Sequence, residues 1–221
     1  MVETGDYSLE MVTSKSTALL IIDMQNDFVH HRGVFSQSGF EVGQYQAIIP
    51  VIHKLLENAR RAGIPIMWVA MSHNEANNKD DAWIQRRQGK GHPQSCSTGT
   101  WGADIIEQFE PMAEDTIVWK HRYSAFVETN MHQLLTEKGI ETIVAVGINT
   151  NTCVESTLRD AHMLGYHVVL PKEATTCVFL DAYEPSLNNI ERHFGVVCTS
   201  NALMKVWDSK ATVNGGVSNE R

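Results

Sequence analysis

The chain has 221 residues, 43% of them hydrophobic and 20% charged. That composition suits a folded globular protein and excludes a disordered chain, a collagen-like repeat or a disulfide scaffold. Asp and Glu number 26 against 18 Lys and Arg, a net charge of −8, which argues against a nucleic-acid or anionic-membrane partner, since both need a basic face.

The first residues, Met1 to Ser16, are polar and lack the apolar centre of a signal peptide. The longest apolar runs, Ala18–Ile22 and Ile143–Val146, fall far short of the ~20 residues that span a bilayer. Thr17–Asp23 reads as a buried strand. Pro50–Ala62 carries Val51, Ile52, Leu55, Leu56 and Ala59 on one helical face, with Pro50 in the first turn and Gly63 at the exit. Ile64–Met71 is the next strand. Ser72–Trp101 is long and polar, and loops of that kind usually cover a pocket, bind a ligand or are disordered; its place after a strand end favours a pocket cover. Trp101–Phe109 reads as a short helix and Thr116–Trp119 as a short strand. Glu128–Lys138 is a helix closed by Gly139, Glu141–Gly147 a strand, and Thr152–Leu164 a helix closed by Gly165. His167–Pro171 is a strand, Ala182–His193 a helix, Val196–Thr199 a last strand, and Asn201–Trp207 a last helix. The tail, 208–221, is polar and expected to be flexible.

Alternating strands and helices predict parallel strands with right-handed crossovers. The expected fold is a single α/β domain over residues 1–207. It is a three-layer α/β/α sandwich with a Rossmann-like, six-stranded, mainly parallel sheet.

Ligands of such sheets bind beyond the carboxyl ends of the strands. Asp23 ends the first strand, Lys120 follows the third, and Cys153 opens the helix after Glu141–Gly147. Each alone has an ordinary structural reading: a turn cap, a solvated charge, a small buried hydrophobe. Together they bring a carboxylate, an amine and a thiol to one sheet edge. A cysteine at a helix start meets unpaired N–H groups and the positive dipole end, which favour the thiolate. A nearby carboxylate can take its proton and return it to a leaving group. Cys96 lies in the long loop, and Cys177 and Cys198 are expected to pack in or near the core. There is no C-x-x-C pair, no H-E-x-x-H and no phosphate-binding glycine motif, so neither metal nor nucleotide cofactor is expected. Free thiols suit a cytoplasmic protein.

The segments ALLIIDMQNDF (Ala18–Phe28), VWKHRYSAF (Val118–Phe126) and VGINTNTCVESTLRDAHMLGY (Val146–Tyr166) resemble, in order and spacing, the isochorismatase-like cysteine hydrolases. The resemblance covers about residues 16–207. It implies an Asp23–Lys120–Cys153 catalytic triad and a cis peptide between Ile148 and Asn149. It also implies an oxyanion hole built from the backbone N–H groups of Asn149 and Cys153. The cysteine argues for C–N hydrolysis through a thioester. RYSAF, NTCVESTLRDA and SGFEV are similar to the ureidoacrylate amidohydrolases, with biuret hydrolases and N-carbamoylsarcosine amidases close behind. MSHNEANN (Met71–Asn78) lacks the metal-binding pattern of nicotinamidases. Phe28 and Tyr123 are candidate pocket walls. Arg86 and Arg87 are candidates for binding a substrate carboxylate. The expected partner is a small-molecule substrate, and the family implies a homodimer or homotetramer. Beside a biuret-type or nicotinamidase-like amidase, two rival classes remain: a metal-assisted amidase using His73 and His92, and a non-catalytic small-molecule binding module on the same fold.

Overall fold

The computed structural model of the chain describes residues 9–12, 16–78, 82–89 and 94–214. Seven strands form one sheet: β1 (Thr17–Ile22), β2 (Ile66–Met71), β3 (Thr116–Lys120), β4 (Thr142–Ile148), β5 (His167–Pro171), β6 (Thr175–Thr176) and β7 (Val196–Cys198). Their order is β3-β2-β1-β4-β5-β7, with β6 beside β4. Every strand pairing is parallel. The seventh strand is β6, which pairs Gly147 with Thr175 and Ile148 with Thr176. Two residues carry no periodicity, so the sequence reading stops at six strands.

Every residue of β1, β2 and β4 is buried, as expected for strands covered on both faces. Three short helices follow β1: α1 (Asn26–Val29), α2 (Val34–Gln37) and α3 (Gly43–Ala47). None spans two turns, so none leaves an apolar stripe for the sequence to reveal. The amphipathic helix α4 (Ile49–Arg61) comes next, with its proline in the first turn and Gly63 at φ +70° just past its end. The remaining helices are α5 (Ala82–Gly89), α6 (Met131–Glu137), α7 (Glu155–Met163), α8 (Tyr183–His193) and α9 (Ser200–Asn214). Right-handed crossovers running outward in opposite directions from β1 and β4 place α4 and α7 on opposite faces. α9 packs against α4, and α8 against α7.

Four local expectations change. The segment expected as a helix over Trp101–Phe109 holds only a 3-10 turn, Trp101–Ala103. Its later backbone groups are drawn into tertiary pairing: the Asp104 carbonyl accepts from Asn26 N–H at 3.0 Å and Ile106 N–H donates to the Met24 carbonyl at 3.0 Å. The helix expected from Glu128 starts at Met131, because Glu128 sits at φ +53°. The polar stretch after β2 contains α5, and its return leg buries Ser95 and Cys96. The last helix passes Trp207 and continues to Asn214, while residues 215–221 of the expected tail lie outside the described residues.

The strand order reverses between β1 and β4, the switch point where open α/β sheets hold their ligands. Gly147 is what lets these strands meet there. It stands opposite Ile22 at φ +110°, and a Cβ on it would lie 2.1 Å from the Ile22 carbonyl oxygen.

Candidate active site

Asp23 is the first residue past β1. Its N–H still pairs with the Val69 carbonyl at 2.8 Å, but its backbone turns to φ +56°, a left-handed conformation that non-glycine residues seldom adopt. Such outliers persist only where surrounding structure imposes them, and they cluster at functional sites. Lys120 ends β3, two strands away, opposite Met71. Its stem crosses the end of β2 and its Nζ donates to Asp23 Oδ2 at 2.9 Å. Nζ also donates to the Arg122 carbonyl at 3.3 Å and lies 3.9 Å from Met71 Sδ. The two side chains are 0% and 2% exposed. Asp23 Oδ1 is equally buried and has no hydrogen-bond partner.

The third component comes from β4. The Ile148–Asn149 peptide is cis. Residues Thr150–Val154 then form a π-helical turn ahead of α7, so Cys153 lies in this turn rather than in the first α-helical turn. The thiol is buried beside Asp23 and Lys120. The Asn149 side chain is fixed: its Oδ1 accepts from the Tyr45 hydroxyl and from Val178 N–H at 3.1 Å.

Burial dominates the electrostatics of the site. Burial, then the Asp23 charge, push the Cys153 thiol up to about 12, with Lys120 opposing. Desolvation and the Asp23 charge thus work against the helix-start effect on the sulfur. Burial also raises the Asp23 carboxyl above its usual range, against the pull of Lys120 and Cys153. Burial works against the charge on Lys120, but Asp23 and Cys153 together hold the ammonium above its ordinary value.

These groups face a cavity of about 120 Å³, which Asp23, Asn149 and Cys153 line together with Phe28, Tyr123 and Arg87. Lys120 lies behind Asp23 and is fully buried. Arg86, the neighbour of Arg87 on α5, is exposed and is not part of the lining; successive helical positions point about 100° apart. Phe35, Phe40, Val178 and Phe179 also line the cavity. Phe35 lies in the four-residue α2 and the other three in loops, where a single apolar residue gives no periodic signal.

A second group of residues missing from the sequence reading braces the rim. The Gln25 side chain donates to the carbonyls of Met71 at 2.8 Å and Ala103 at 2.6 Å, and accepts from Met71 N–H at 2.7 Å. Asp27 accepts from the N–H groups of Cys96 at 2.6 Å and Val34 at 3.3 Å. Cys96 and Cys177 are buried, and Cys198 is partly so. His73 is buried, with neither ring nitrogen hydrogen-bonded, whereas His92 lies outside the described residues. Among the described residues, no three His, Cys, Asp or Glu side chains cluster as a metal site, and no helix is long and apolar enough to cross a membrane.

A family profile described as Isochorismatase domain matches residues 17–202. The ureidoacrylate amidohydrolase RutB of Agrobacterium fabrum is 34% identical over 219 residues, covering 92% of this chain and 96% of that relative. A cysteine hydrolase from Pseudomonas syringae pv. phaseolicola superposes with a TM-score of 0.80 at 25% identity, over 90% of this chain and 95% of the other. The N-carbamoylsarcosine amidase of Thermoplasma acidophilum gives a TM-score of 0.70 at 27% identity, over 84% and 97% respectively.

Proposed function

The chain belongs to the isochorismatase family and is a hydrolase of C–N bonds, and we propose that it works as a cysteine amidohydrolase on a small ureido or carbamoyl compound resembling ureidoacrylate. One observation carries this reading. A buried thiol and a buried carboxylate share one cavity, and the carboxylate keeps one oxygen unpartnered while Lys120 occupies the other.

Each group then has a role. The Cys153 thiol gives its proton to Asp23 as the sulfur attacks the carbonyl carbon. The backbone N–H groups of Asn149 and Cys153 hold the oxyanion, and one such donor is worth roughly 3–4 kcal/mol. Asp23 passes the proton to the departing nitrogen, which leaves as ammonia or an amine, and a thioester remains on Cys153. A water then loses a proton to Asp23 and adds to the thioester, and the proton returns to sulfur as the acid leaves. Lys120 remains a cation throughout and faces the negative charge whether it sits on Asp23 or on sulfur. Phe28 and Tyr123 wall the cavity.

The test is product release from ureidoacrylate, biuret, N-carbamoyl amino acids and nicotinamide, with Cys153→Ala alongside. The expected result is turnover of a ureido or carbamoyl compound, with a loss of at least about a thousandfold in kcat for the variant. Turnover that survives the substitution would remove Cys153 as nucleophile.

A further inference from the structure

Charges on the cavity lining do not cancel. Asp23 is balanced by Lys120. The remaining charged side chain on the lining is Arg87. It is half-buried on α5, and no carboxylate of the described residues lies within ion-pair distance of it. Its guanidinium stands 4.5 Å from the centre of the Trp83 ring, one helical turn earlier. Trp83 is seated in turn on His73 and Tyr123, with ring centres 5.6 and 5.8 Å away, and Arg122 lies 4.8 Å from the same indole. An indole face is the best aromatic seat for a guanidinium, so the cation is positioned before any ligand arrives. The surroundings register the excess positive charge. His73, faced by Arg87, Lys120, His121 and Asn78, is pushed down to about 4 by burial and then by Arg87 and Lys120.

We propose that the cavity takes a substrate bearing a carboxylate, and that Arg87, held over Trp83, is the specificity residue that reads it. The reaction assigned to such a substrate rests on the amidohydrolase reading above; the binding preference does not. Phe28, Phe35, Phe40 and Phe179 give the cavity apolar walls. An anionic group entering among them loses water and must be paired. A guanidinium supplies that partner in a planar, two-pronged form that matches a carboxylate. A neutral amide would instead leave the half-buried guanidinium unpaired. The substrate class is therefore a ureido or carbamoyl acid, in preference to biuret or nicotinamide.

Two measurements test this. In the first, kcat/KM is compared for ureidoacrylate and its carboxamide, in wild type and Arg87→Met. The acid is expected to lose roughly 10- to 100-fold in the variant, the scale of a charged hydrogen bond, while the carboxamide changes little. The second needs no turnover: Cys153 is alkylated with iodoacetate and with iodoacetamide, near-isosteres that differ in charge, and its peptide is quantified by mass. The iodoacetate-to-iodoacetamide ratio should fall at least about tenfold in Arg87→Met and hold in Arg192→Met, a charge-matched change at an exposed position of α8. An unchanged ratio in Arg87→Met overturns the proposal, as does an equal loss in Arg192→Met. A ratio that falls while Cys153→Ala retains turnover would sustain the role of Arg87 and sink the cysteine mechanism instead.

Discussion

Removing Lys120 separates the energy of the ion pair from its chemistry. Its Nζ is 2.9 Å from Asp23 Oδ2 and both side chains are essentially solvent-free. At that distance and an effective dielectric of about 20, Coulomb's law gives about 6 kcal/mol. Lys120→Met forfeits this attraction and strands a buried carboxylate, which costs roughly 3–5 kcal/mol when the partner of a buried pair is removed. The carboxyl has an escape, because it can take up a proton. Burial already raises it, and loss of the ammonium raises it further.

The sign of the pH effect follows. In the variant, Asp23 binds its proton more tightly folded than unfolded. Its contribution is fully present below the unfolded value of about 4 and is lost as pH rises toward the folded value, by up to about 1.4 kcal/mol per unit. Urea unfolding at pH 5 and pH 8.5 should show Lys120→Met losing more stability than wild type at the higher pH. Asp23→Asn combined with Lys120→Met should be more stable than Lys120→Met alone, since no charge is then stranded. A single variant that loses under about 1 kcal/mol, with a pH profile parallel to wild type, would refute a desolvated ion pair.

Gln25→Leu removes three buried hydrogen bonds that hold the end of β2 and the Ala103 turn, and should cost roughly 2–4 kcal/mol in urea unfolding. Gly102→Ala should destabilise by more than about 1 kcal/mol, because its Cβ would stand 2.3 Å from the Asp27 carboxylate. Gly43→Ala, with open space around it, should be neutral or stabilise by up to about 1 kcal/mol in the same assay. Alkylation of Cys153 by iodoacetamide should keep rising with pH beyond 9, since its thiol is pushed up to about 12; a rate already level at pH 7 would mean that the sulfur rests ionised.

The parts of the fold legible in the sequence are those with a long-range pattern. β1, β2 and β4 read as unbroken apolar runs because they are buried on both faces. α4 reads as a helix because one face packs inward and the other meets solvent. Asp23, Lys120 and Cys153 could be singled out because each ends or follows a strand, and parallel topology gathers strand ends. What stayed hidden depends on pairing at a distance. Gln25 is an ordinary polar residue until the ends of β2 and the Ala103 turn come within its reach. Tyr45 gives no sign that its hydroxyl meets Asn149, 104 positions later. Arg86 and Arg87 are equivalent in a polar loop and separate only when α5 forms and turns one of them toward the cavity.

In the mechanism proposed above, burial of the site lets Cys153 be both protected and available. A resting thiolate would place two anions, sulfur and Asp23, against the single Lys120 ammonium in a buried site. Burial instead pushes the thiol up to about 12 and raises the carboxyl as well. Proton transfer from Cys153 to Asp23 then creates no new net charge. It moves one negative charge from carboxylate to sulfur, with Lys120 adjacent to both. Asp23 is well suited to receive that proton because burial has already made its neutral form less costly. The same burial that opposes the thiolate thus strengthens the base that would generate it. Gly147 and the left-handed turn at Asp23 are the local features that bring the two strand ends close enough for the exchange.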